Sequence, residues 1–111
     1  MTTRHEQLTE ARSYLREQYA FWASHAELAA ANHHPELEAA FRSQSELAWG
    51  RLEVVTAFAD QHPNPDDAPP DSFLAICELM VRYIDSADEV FQLGEEEGYA
   101  RPTTPRPPRQ N

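Results

Sequence analysis

Lysine is missing from this chain of 111 residues; its nine basic residues are all arginine, set against nineteen carboxylates for a formal net charge of −10. A surface so negative repels phosphate backbones and anionic lipid, which argues against nucleic-acid binding through a basic patch and against membrane attachment. Cysteine occurs once, as Cys77, so an internal disulfide is excluded and there is no second Cys to make up an established zinc spacing. Within the apolar run from Phe73 to Val81 that thiol reads as a small buried hydrophobe. No apolar run approaches the length of a membrane span, and the opening residues Met1 to Gln7 lack the apolar stretch of a signal peptide. A cytoplasmic protein of a bacterium or phage is expected.

Catalytic signatures are missing as well. No Ser, His and acid arrangement and no glycine-rich phosphate loop is recognisable. His33 and His34 stand near Glu36 and Glu38, but their spacing matches neither a zinc pattern nor the Glu-x-x-His pairs of carboxylate-bridged bundles. The expectation is a noncatalytic protein with no metal and no cofactor.

What the chain does have is charge asymmetry. Residues 1–52 carry a net −2, residues 53–97 hold twelve acids and the single Arg82 for −11, and Arg101, Arg106 and Arg109 restore +3. Such an imbalance bears on partners and not on fold, and it points to a basic protein surface as the target.

The length fits one domain with a modest core, assigned to residues 1–98. Three helices emerge from punctuation and apolar periodicity. The first, about 3–32, opens on the capping-box spacing of Thr3 and Glu6 and carries Leu8, Leu15, Trp22 and Ala29 beside Tyr14, Phe21 and Leu28. The turn from Asn32 to Pro35 ends it, because a residue before proline leaves the α region while proline suits the first position of the next helix. The second, about 35–62, carries Leu37, Phe41, Ala48, Leu52 and Val55, with Gly50 as a mark of close helix approach or a kink. Four prolines between Pro63 and Asp71 make that stretch a semi-rigid loop.

The third helix, about 72–93, is capped by Asp71 or Ser72 and is to end at Gly94, with fraying through Glu95 to Glu97. Its apolar side chains, Phe73, Ile76, Met80, Ile84, Ala87 and Phe91 with Leu74, Leu79, Val81 and Val90 around them, exceed one seam. Short turns between long helices predict an antiparallel three-helix bundle, a helical hairpin plus a third helix. The surplus apolar surface makes a homodimer, joined into a larger bundle, the competing architecture. Residues 99–111, rich in proline and arginine, are expected to be disordered or extended polyproline II.

Two classes of function follow. In the first, an acidic helical face blocks a basic, nucleic-acid-handling protein, as an inhibitor, immunity protein, antitoxin or phage counter-defence factor would. The residues assigned to it are Glu78, Asp85, Asp88, Glu89, Glu95 and Glu96. The alternative is a structural adaptor or chaperone that binds through apolar and aromatic faces, with Trp22 and Phe91 as the handles.

Overall fold

The computed structural model describes residues 3–98, and among them it is all-helical, with three long α-helices and no strand. The expectation for the segment 99–111 lies outside the described residues. Helix α1 runs Arg4–Ala31, α2 Pro35–Gln61 and α3 Pro70–Glu96. Contacts between side chains fix their directions. Ser45 and Trp49 of α2 meet Tyr19 of α1, and Phe41 meets Trp22, so α1 and α2 are antiparallel. Tyr14 meets Tyr83 and Phe21 meets Phe91, so α3 runs parallel to α1 and closes an up-down-up bundle 49 × 23 × 18 Å in extent.

Thr3 starts α1 as its spacing predicts, its Oγ1 accepting from the Glu6 amide at 3.1 Å. The helix ends in a Schellman turn: the His33 amide donates to Ala30 O and the His34 amide to Ala29 O, with His33 at φ +60. A β-carbon is strained in that left-handed region, by about 1–2 kcal/mol. His33→Gly is therefore expected to raise the stability by about 1 kcal/mol, read as a higher midpoint in urea; an unchanged or lower midpoint would show that the imidazole offsets the strain.

Gly50 departs from expectation. Helix α2 is unbroken through it, and a Cβ added there would meet nothing within 4 Å. It marks no close helix approach and stands on open surface beside Trp49.

Both ends of α3 differ from the predicted ones. Pro70, not Ser72, is its first residue, because proline's fixed φ suits that position and its missing N–H has no partner to lose; Asp71 falls in the first turn, where the helix dipole favours it. Gly94 does not stop the helix. It is buried within the last turns, α3 continues to Glu96, and the left-handed glycine is Gly98 at φ +79, its amide on Glu95 O. Between α2 and α3, Pro65–Asp67 make a single 3-10 turn, the Asn64 side chain accepting from the Asp66 amide. Arg4 ties this loop to α1. It donates to Pro65 O and Ala68 O and lies 4.9 Å above the Phe73 ring.

The core is a continuous seam of Leu8, Leu15, Trp22, Ala26 and Ala29 from α1, Leu37, Phe41, Ala48, Leu52 and Val55 from α2, and Ile76, Met80, Tyr83, Ala87 and Phe91 from α3. Polar residues are built into it. Gln18 is 1% exposed, and its Oε1 accepts from the Trp22 indole N–H at 2.9 Å and from the Tyr83 hydroxyl at 2.7 Å. Gln44, also buried, donates to Ser86 Oγ, which donates in turn to Tyr83 O.

Candidate functional site

With Ile76, Met80, Tyr83, Ala87 and Phe91 committed to the hairpin, the opposite side of α3 must face water, since residues seven apart on a helix return to nearly the same azimuth. Asp71, Glu78, Asp85, Glu89 and Glu96 are exposed there, and Asp88 and Glu95 are exposed on its flank. Leu74 and Val81 lie in the same strip at 55% and 43% exposure. The six acids assigned from sequence are all exposed on α3, but the helical period divides them: Glu78, Asp85, Glu89 and Glu96 share the side opposite the core, with Leu74 and Val81 beside them, while Asp88 and Glu95 stand on its flank, Asp88 near enough to Tyr14 to act on its hydroxyl. Glu78 and Arg82 have the spacing of a helical ion pair, but among the described residues that spacing is used by Glu38 and Arg42, at 2.9 Å, and not by these two. The strip from Asp71 to Glu96 is about 38 Å long at a rise of about 1.5 Å per residue.

Trp22 and Phe91 take a different place. Trp22 is wholly buried, and Phe91 packs on it with ring centroids 4.8 Å apart. They are core residues in the monomer, so a substitution at either perturbs packing before it perturbs any contact with a partner. The aromatic pair that does reach the surface is Tyr19 and Trp49, tilted against each other at 5.1 Å and each more than two-fifths exposed. It lies across the α1–α2 seam, where Ser45 donates to Tyr19 O.

The titratable groups inside the bundle behave as buried groups do. Burial, helped by the Asp88 carboxylate, pushes the Tyr14 hydroxyl up to about 12. Burial also raises Tyr83, against the opposing pull of Gln44 and Trp22. His25, between Phe21 and Phe41, is lowered by burial. Cys77 is only half-buried, not buried as its neighbours suggested, and desolvation raises its thiol further than Arg4 lowers it. A thiol held protonated is a poor nucleophile. Among the described residues no group of three or more His, Cys, Asp or Glu is placed to hold a metal ion, and no helix is long and apolar enough to cross a membrane.

Fold and surface together define an all-helical bundle with one acidic, partly apolar helix face. Comparison with protein-family models, with curated proteins and with solved structures finds no match.

Proposed function

We propose that the protein is a noncatalytic binding module whose α3 face docks on a basic, nucleic-acid-handling protein in the cytoplasm and blocks it, in the manner of an inhibitor, immunity protein, antitoxin or phage counter-defence factor. One observation carries this: Glu78, Asp85, Asp88, Glu89 and Glu96 are exposed along a single helix that also presents Leu74 and Val81. Charge of one sign steers a cationic partner and sets its orientation, and apolar side chains within the strip give the contact area that charge alone does not. Imitation of DNA is the less favoured form of the idea. Seven helical residues advance about 10 Å, whereas duplex DNA carries one charge per ~1.7 Å of axis, so one helix face is too sparse.

The test is capture from a lysate of the source cell on the immobilised full chain, at low and at high salt, with bound proteins identified. A basic, nucleic-acid-handling protein retained at low salt and released by salt is the expected result. Retention that ignores both salt and the triple reversal Asp85→Arg, Asp88→Arg, Glu89→Arg would overturn the proposal.

The exposed Tyr19–Trp49 pair favours a second reading, an assembly adaptor or a homodimer formed through the α1–α2 seam. Salt-resistant self-association that fails on Trp49→Ala distinguishes it.

A further inference from the structure

Tyr19 and Trp49 stand on the side of the hairpin away from α3. Each lies five residues from a side chain that faces α3, Tyr14 on Tyr83 and Gln44 on Ser86, which is about 140° around its own helix. The tilted pair therefore occupies the middle of a hairpin face that α3 leaves uncovered. Helical neighbours extend that face along both helices. Arg12 and Arg16 precede Tyr19 by seven and three residues on α1, and Arg42, Glu46 and Glu53 stand seven before, three before and four after Trp49 on α2.

The charge pattern of this face selects its partner. With Glu38, which holds Arg42 at 2.9 Å, three arginines stand against three carboxylates, so the face is neutral in a chain of net −10. Two copies meet here without net repulsion, whereas a basic or an acidic foreign surface finds like charge in part of the rim. Arg12 adds an independent observation. It is half-buried, and its Nε is shut off from water with no hydrogen-bond partner. Among the described residues no ion pair holds its guanidinium either. A cation drawn partly out of water without an acceptor leaves a requirement that a carboxylate from outside the chain meets.

Contacts across the hairpin fix the heights at which these groups stand. Ser45 meets Tyr19 O and Phe41 meets Trp22, so Arg12 is level with Glu53 and Arg16 with Trp49, each to within ~3 Å, a rise of about two residues. A second copy packed about a two-fold axis parallel to the helices lays its α2 on α1 at equal heights. Glu53 of the second copy then falls at Arg12 and Trp49 of the second copy at Arg16, and symmetry makes each contact twice. An axis across the helices would lay α1 on α1 and turn Arg12 toward Ala23 of the second copy, which offers no acceptor. Helices of 28 and 27 residues are ~40 Å long and side by side ~20 Å wide, a footprint that matches the ~800 Å² per partner of a stable interface.

We infer that two copies associate through this face into an antiparallel four-helix core made of α1 and α2 from each, with Tyr19 and Trp49 in the middle and Arg12 paired with Glu53 of the second copy. It rests on the reading of Tyr19 and Trp49 as a contact surface and adds the partner and the register. Both α3 helices lie outermost, so the dimer presents two acidic faces pointing away from each other.

The test measures the mass of the full chain by analytical ultracentrifugation from micromolar to millimolar concentration. A dimer is expected, with Kd raised at least ~100-fold by Trp49→Ala, an aromatic at the middle of the contact, and at least ~10-fold by Glu53→Arg, which sets two arginines against each other at both symmetric sites. Both positions are exposed, and an unchanged urea midpoint of the dilute, monomeric variants separates a lost contact from a lost fold.

A cross-link reads the register directly. In a Cys77→Ser background, an equimolar mixture of Arg12→Cys and Glu53→Cys chains is expected to form the mixed disulfide in preference to either homodimer, because only that pairing brings the two β-carbons together. A chain that stays monomeric throughout, or a dimer indifferent to Trp49→Ala, overturns the inference and the contact-surface reading together. A dimer that Trp49→Ala dissociates but Glu53→Arg does not weaken, with no preference for the mixed disulfide, overturns the inference and leaves the contact surface standing.

Discussion

Trp22→Ala is expected to lower the free energy of unfolding by about 3–5 kcal/mol, the range for removing a large aromatic side chain from a packed interior. Trp22 is wholly buried and touches the other two helices at once: Phe41 of α2 at 5.5 Å and Phe91 of α3 at 4.8 Å, with Phe21 of its own helix edge-on at 5.0 Å. No neighbour fills the space it leaves without moving a helix. The substitution also removes one of the two hydrogen bonds accepted by Gln18. Domains of this size are stable by only about 5–15 kcal/mol, so the variant should sit near the edge of folding at room temperature. Urea titration followed by far-ultraviolet circular dichroism measures it. A loss below about 1 kcal/mol would mean that Trp22 is not at the centre of the core.

Gln18→Leu should cost about 2–4 kcal/mol, although it replaces a polar core residue by an apolar one of similar size. The reason is the asymmetry between a hydrogen bond never made and one half removed. Gln18 Oε1 is the acceptor for both the Trp22 indole N–H and the Tyr83 hydroxyl, and a leucine side chain offers neither donor a substitute. Tyr83→Phe alone keeps the Trp22 bond and removes a donor instead of stranding one, so its expected cost is near ~1 kcal/mol. In the double variant Gln18→Leu, Tyr83→Phe one of the two orphaned donors is gone, and the total should fall below the sum of the single costs by about 1 kcal/mol or more. Strict additivity would show that the two residues do not share a bond. The network joins all three helices through Gln18, Gln44, Tyr83 and Ser86, so sliding one helix along another would leave buried polar groups without these partners.

The helices and most of their core residues were legible in the sequence because each signal is local. Thr3, Pro35 and the proline-rich stretch from Pro63 punctuate the chain, and the spacing of Leu8, Leu15, Trp22 and Ala29 depends only on the helical period. The acidic strip was legible for the same reason: carboxylates stay in water by default. Three things were not. Trp22 and Trp49 look alike along the chain, and only the packing of three helices decides that one is wholly buried and the other half exposed. Gln18, Gln44 and Ser86 gave no signal, because a polar residue on a helix is assigned to the surface unless a buried partner such as Tyr83 is known. Gly94 carried a misleading signal. Its local preference is to end a helix, but burial in the last turns of α3 outweighs the ~1 kcal/mol of propensity, and the stop moves to Gly98.

The comparison of two charge reversals tests the docking face most directly. Asp85→Arg, Asp88→Arg, Glu89→Arg alters α3, while Glu10→Arg, Glu17→Arg alters exposed acids of α1 and changes the net charge in the same sense. The affinity of each full-length variant for the captured basic partner is measured by titration calorimetry at fixed salt. Docking through α3 requires its reversal to weaken binding at least about tenfold, some 1.4 kcal/mol or more, and the α1 reversal to change it less than about threefold. Equal losses from both would reduce the interaction to net charge, and an α3 variant that binds as the native chain does would rule the docking face out.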